Sequence, residues 1–124
     1  MIALTLAAPA SPQGLLENVE ACNNPNGVTT DRRIEACTAI INSGAGSSEA
    51  ISIAYNNRGI GRAEKGEYDL AIKDYGQAVD LDPTSQRPLT NRGIAYQRNA
   101  DYDRAIADFT SAISIDPSSV TAIA

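Results

Sequence analysis

Residues 52–85 and 86–119 carry one pattern twice. At an offset of 34 residues, Asn57-Arg58-Gly59-Ile60 falls on Asn91-Arg92-Gly93-Ile94, and Tyr68-Asp69 falls on Tyr102-Asp103. Ala71-Ile72 then meets Ala105-Ile106, Asp74 meets Asp108, Ala78 meets Ala112, and Asp82-Pro83 meets Asp116-Pro117. Between these anchors residues swap like for like: Tyr75 with Phe109, Val79 with Ile113, Leu81 with Ile115. A unit of this length cannot bury a core by itself, so each copy must lean on its neighbours. The chain is thereby constrained to a stack of similar supersecondary units.

Inside the repeat the apolar spacing is helical and the breakers fall at fixed places. A helix is expected from about Ser48 to Glu64, a turn at Lys65-Gly66-Glu67, and a second helix from Tyr68 to Leu81. Asp82-Pro83 ends it, because the residue before a proline is pushed out of the helical region. The second copy predicts helices at 85–98 and 102–115 around a turn at Asn99-Ala100-Asp101. Upstream, residues 13–47 read as a looser hairpin. Leu15, Leu16 and Val19 mark its first helix and Asn23-Asn24-Pro25-Asn26-Gly27 its turn. Thr30-Asp31 read as the N-cap of a helix bearing Ile34, Cys37, Ile40 and Ile41. Residues 120–124 read as the first turn of a further helix. No strand pattern competes, so the fold class is all-α.

Composition removes several kinds of function. The 124 residues carry 10 basic against 15 acidic side chains, a net charge of −5. That balance argues against nucleic acid, which is held by neutralising its phosphates, and against an anionic membrane surface. No apolar run is long enough for membrane insertion. Histidine is absent, which removes the commonest general base and the commonest zinc ligand together. The serines lie in linkers and caps, and no nucleophile–base pair is visible. Neither catalysis, metal nor cofactor is expected.

Residues 1–12 read as an arm or as the tail of a signal peptide, since a short apolar run leads to Ala8-Pro9-Ala10, a small-x-small cleavage pattern. Cys22 and Cys37 lie on the two helices of the first hairpin. They are either two buried small apolar side chains or a disulfide. Antiparallel helices joined by a short turn bring the two positions side by side, and closing that loop would supply about 3 kcal/mol.

Two positions in the copies carry a visible cost. Gly59 and Gly93 fall mid-helix, where glycine is about 1 kcal/mol worse than alanine. A close helix approach accounts for that, with Ala71 and Ala105 as small partners, Tyr75 and Phe109 filling the gap between units, and Tyr68 and Tyr102 covering the turns. Arg58 and Arg92 recur in phase with Asp74 and Asp108. They are either solvated helix charges or ion pairs to the second helix that fix register more than they add stability.

These residues resemble the tetratricopeptide repeat, a 34-residue helix-turn-helix unit. The resemblance rests on Tyr55, Gly59, Tyr68, Ala71, Tyr75, Ala78 and Pro83, and on Leu89, Gly93, Tyr96, Tyr102, Ala105, Phe109, Ala112 and Pro117. It covers 52–119 well and 13–47 loosely. Arg58, Arg92 and Arg62 depart from it, standing where the family usually has leucine or a large apolar residue. The resemblance implies a right-handed superhelical stack of antiparallel helix hairpins with the first helix of each unit on the concave side. It then places Asn56, Asn57, Ile60, Arg87, Thr90, Asn91, Ile94, Gln97 and Arg98 there as peptide-binding residues, beside Ile53 and Glu64. Asparagine suits this task because its amide both donates and accepts, although near a helix start it also bonds its own backbone. The family's carboxylate clamp needs lysines that are missing here, so a chaperone-tail clamp is not expected.

The expected function is a non-catalytic scaffold for a protein or peptide partner. The alternative is self-association through an uncapped apolar C-terminal end, giving a homo-oligomer. The chain also resembles small secreted bacterial repeat proteins with a cysteine-bearing first unit. That resemblance implies a periplasmic or secreted location, with the cytoplasm as the alternative.

Overall fold

A computed structural model describes residues 12–24 and 26–118. Six helices follow one another: α1 (Pro12–Asn23), α2 (Thr30–Ser43), α3 (Ser48–Glu64), α4 (Tyr68–Leu81), α5 (Gln86–Arg98) and α6 (Tyr102–Ile115). No strand occurs among the described residues. The expected arm at 1–12, apart from Pro12, and the expected helix start at 120–124 lie outside them.

Several helix ends have a local cause. Pro12 opens α1 at the position where a missing N–H costs nothing. The N-cap of α2 is Thr29 rather than Thr30 or Asp31. Its backbone is extended (φ −73°, ψ 158°) and its hydroxyl accepts from the Arg32 amide at 3.0 Å. Thr30 is already helical, so it cannot reach that amide. Ser47 caps α3 in the same way, accepting from the Ala50 amide at 3.1 Å. Ser85 stands just ahead of α5, which starts one residue later than expected. The chain then turns through left-handed residues, Gly66 (φ 77°) after α3 and its in-phase counterpart Ala100 (φ 60°) after α5.

Consecutive helices pack as antiparallel hairpins, and each second helix also packs on the first helix of the next unit. The first helices close on one another as well, α1 with α3 and α3 with α5. The side where helices converge is the inner side of the stack, and it is lined by α1, α3 and α5. The core is built from small residues. Ala21, Cys22, Ala36, Cys37, Ile40 and Ala54 form one buried cluster, and Ala71, Tyr75 and Ala95 another. A disulfide joins Cys22 to Cys37 across the first hairpin.

The mid-helix glycines are where helices nest, but their partners are rings rather than alanines. A β-carbon on Gly59 would lie 2.6 Å from Tyr75 Cε1, and one on Gly93 would lie 2.6 Å from Phe109 Cε1. Ala71 instead packs with Tyr75 and Ala95, at the junction with the next unit. The aromatic position therefore closes its own hairpin and, in Tyr75, also supports the neighbouring one. Tyr102 does not cover a turn; it is 60% exposed.

The recurring arginines are ion-paired. Arg58 grips Asp74 with Nε at 2.9 Å and Nη2 at 2.8 Å, and Arg62 Nη1 adds a third bond at 3.0 Å. Arg92 grips Asp108 with Nε and Nη2, both at 2.8 Å. Each fork ties the two helices of one hairpin at a fixed height. The remaining nitrogen of Arg58 reaches back to Thr38 Oγ1 of α2 at 3.1 Å, so this fork also joins two units.

Candidate binding groove

The nested hairpins leave a groove on the inner side, between the C-terminal halves of α3 and α5. Its volume is about 300 Å³, and Ile60, Ala63, Glu64, Tyr68, Tyr75, Asn91, Ile94, Ala95 and Arg98 line it. It exists because of the packing just described. Ala95 is small enough to let α5 sit low against α4, and Tyr75, held by Gly59, forms the floor. Ile60 from α3 and Ile94 from α5 line it as its apolar part, and Ile94 is 43% exposed. Burial raises the Tyr75 hydroxyl pKa well above the usual phenol range, with the Asp74 charge adding to it. That hydroxyl stays protonated and can donate.

Charge is set unevenly around the groove. Glu64 is engaged, accepting from Thr30 Oγ1 at 3.2 Å and lying 3.6 Å from Arg33 Nη1. Arg33 is itself buried, and its Nη1 has no hydrogen bond. Arg98 at the open end is exposed and makes no ion pair among the described residues. A second groove of about 330 Å³ continues along the N-terminal halves of the same helices. Ser52, Ile53, Asn56, Ser85, Gln86, Arg87 and Pro88 line it. Exposed Arg87 and Arg98 thus bracket an inner face with Ile53, Ile60 and Ile94 between them. They stand eleven residues apart on α5, roughly 16 Å at 1.5 Å per residue.

Of the expected binding residues, the structure brings Ile60, Asn91, Ile94 and Arg98 to the first groove and Asn56 and Arg87 to the second. The asparagines are already partly occupied. Asn91 Nδ2 donates to Asn56 Oδ1 at 3.0 Å, and Asn57 Nδ2 donates to Asn23 Oδ1 at 3.1 Å. These bonds join first helices of successive units. Asn56 is only 4% exposed and its Oδ1 is taken by Asn91, so it borders the second groove with little free surface. Asn91 keeps its carbonyl oxygen for an incoming N–H. Thr90 is half-buried and Gln97 exposed, and neither lines these two grooves.

Sequence reasoning overlooked Tyr68 and Tyr75 as lining residues. One signal was present: the in-phase partner of Tyr75 is Phe109, so only this copy keeps a hydroxyl at the site. Among the described residues no group of His, Cys, Asp and Glu could hold a metal ion. No described helix is long and apolar enough to cross a membrane.

Hairpins stacked at a constant phase, with first helices turned inward, define a helical-repeat solenoid. The comparisons identify which one. A family described as "TPR repeat" matches residues 62–99, and one described as "Tetratricopeptide repeat" matches 87–119. Residues 62–119 are thus tetratricopeptide repeats. No curated protein matches it.

Among solved structures, the second TPR of Spaghetti (RPAP3), bound to the HSP90 peptide SRMEEVD, superposes with a TM-score of 0.69 at 22% identity. That match covers 84% of this chain and 96% of the other. A MamA crystal structure matches with a TM-score of 0.70 at 20% identity over 92% of this chain, which spans 59% of that longer one. A further MamA structure gives 0.54 at 19% identity, covering 93% of this chain and 84% of its own. At these identities the likeness is one of fold.

Proposed function

We propose that this protein is a non-catalytic scaffold that holds a short extended peptide of a partner protein along the inner face of α3 and α5. The observation that carries this reading is the inner face itself: Ile60 and Ile94 beside the Tyr75 hydroxyl and a half-used asparagine, with Arg98 and, in the adjoining groove, Arg87, neither of which makes an ion pair among the described residues. At about 3.3 Å per extended residue, a peptide of roughly five residues would run from Arg87 to Arg98. The charge pattern favours acidic residues near the peptide's two ends and a medium apolar side chain between them. Support of the same kind comes from the Spaghetti domain, whose bound peptide also combines acidic and apolar residues. The cysteine bridge in the first hairpin favours an oxidising compartment, the periplasm or the outside of the cell.

A displayed library of random heptapeptides tests the binding reading. Peptides with an acid–apolar–acid pattern should be enriched on the wild type, and Arg98→Glu or Ile94→Asp should weaken them by about tenfold or more. Both residues are exposed, so the fold should survive, which circular dichroism checks. Enrichment that is indifferent to both substitutions would refute the groove as the site. A second reading, self-association at the C-terminal end, draws on the exposed Tyr102 and Ile106 of α6. Sedimentation over a range of concentrations separates the two.

A further inference from the structure

Nine asparagines occur in the chain, and the structure sorts them by the backbone that follows each. The side-chain amide of an asparagine is open to attack by the backbone nitrogen of the next residue. The attack needs that N–H free of hydrogen bonding, little bulk beside it and a backbone able to turn. Asn18, Asn42, Asn56, Asn57 and Asn91 stand inside helices, where the following N–H is held in the ladder to the residue four back. Asn23 closes α1, and the next N–H, of Asn24, donates to the Glu20 carbonyl at 2.9 Å. Asn24 precedes Pro25, which has no N–H to give up. Asn99 is held twice: its Nδ2 donates to Asp69 at 2.9 Å, and the Ala100 N–H donates to the Gln97 carbonyl at 3.0 Å.

Asn26 alone escapes these constraints. It is exposed in the turn between α1 and α2. Its backbone N–H donates to Asn24 Oδ1 at 3.0 Å, but its side-chain amide makes no hydrogen bond among the described residues. The N–H of Gly27 makes none either. Gly27 has a left-handed backbone (φ 83°), and nothing lies within 4 Å of the place where its β-carbon would be. Glycine is also the residue that hinders its own nitrogen least and turns most freely.

We infer that Asn26 is a site of spontaneous modification, with its side-chain amide as the substrate and the Gly27 nitrogen as the nucleophile. The Gly27 N–H gives its proton to solvent base, and the nitrogen bonds to Asn26 Cγ. The Cγ–Nδ2 bond breaks, and Nδ2 takes a proton from water and leaves as ammonia. A five-membered succinimide remains. Water then adds to one of its two carbonyls and opens the ring, giving aspartate from one and isoaspartate from the other. One water enters, one ammonia leaves, and nothing is oxidised or reduced. The product puts a new carboxylate in the pocket of about 300 Å³ that Asn26 shares with Glu17, Glu20, Asn24 and Arg32. Arg32 is already engaged by Glu35 and Asn18, so the two glutamates of α1 meet the new charge. The isoaspartate form lengthens the turn by one carbon, and the Cys22–Cys37 disulfide keeps α1 joined to α2 across it. The site is separate from the groove between α3 and α5, so each stands or fails alone.

Peptide mapping by mass spectrometry of the full, folded chain after incubation in mildly alkaline buffer tests this. The exchange of ammonia for water should appear as a mass gain in the peptide that carries Asn26 before any other asparagine changes. Chromatography should resolve it into aspartyl and isoaspartyl forms. The rate should rise at least about threefold from about pH 7 to about pH 8, because the deprotonated nitrogen attacks. Gly27→Ala should slow the change at least about tenfold by crowding that nitrogen. The fold tolerates alanine at positive φ, as Ala100 shows, and circular dichroism checks the variant. Asn26→Gln should remove the mass gain from this peptide, since its ring would need six members. Persistence of Asn26 while a helical asparagine converts would overturn the inference. So would equal rates in the wild type and Gly27→Ala.

Discussion

The copies at 52–85 and 86–119 carry matched residues in unmatched surroundings. Ile72 packs against a cluster that includes α5, whereas Ile106 looks outward. Asp74 receives two arginines, but Asp108 receives one, because the in-phase partner of Arg62 is Tyr96. Arg58 finds Thr38 on the preceding second helix. Arg92 meets Gly76 at the same height, where a β-carbon would lie 3.5 Å from its Nη1. The repeat therefore fixes what each residue points toward, and the neighbour decides what the contact is worth. An inner copy becomes core, and the same residues in the copy at 86–119 stand exposed among the described residues.

Paired substitutions at matched positions can break this contrast. The largest difference is expected at the forks. Asp74→Ala strands two partly buried arginines and should cost about 3–5 kcal/mol in urea unfolding. Asp108→Ala strands one and should cost about 2 kcal/mol; equal losses would mean that the third bond, from Arg62, contributes nothing. Replacing Cys22 and Cys37 with serine should cost about 3 kcal/mol, and hydrogen exchange should show the loss concentrated in α1 and α2. Ile72→Asp should cost about 2 kcal/mol through burial of a charge, against less than about 0.5 kcal/mol for the exposed Ile106→Asp. The smallest pair sharpens the argument instead. Gly76→Thr should add about 1 kcal/mol by offering Arg92 the hydroxyl that Thr38 offers Arg58. Ala100→Gly should add about as much by relieving a left-handed alanine where the other copy has Gly66. Thermal melts read both.

Most of the fold was legible because its punctuation is local. Glycine, asparagine and Asp-Pro breakers mark the helix ends, and periodicity marks the buried faces. The Arg–Asp forks were legible as in-phase pairs sixteen residues apart, a separation that two antiparallel helices bring level. What stayed hidden depends on the side-to-side offset between helices, which no single helix encodes. Tyr75 rather than Ala71 lies on Gly59. Asn56 lines the second groove but is nearly covered by its bond with Asn91, because successive first helices converge more closely than a helical wheel reveals. Tyr102 was expected to cover a turn by analogy with Tyr68, yet the helix that half-buries Tyr68 has no counterpart beside α6 among the described residues. Ile60, Asn91, Ile94 and Arg98, which the resemblance placed on the concave side, do line the groove.

The claim on which the functional account rests is that a peptide ligand lies on the inner face of α3 and α5. Amide chemical-shift mapping with an enriched heptapeptide tests it most directly. The account predicts saturable shifts at Ile60, Asn91, Ile94 and Arg98, with Tyr102 and Ile106 silent. Shifts confined to α6, or to the outer surfaces of α2 and α4, would contradict it.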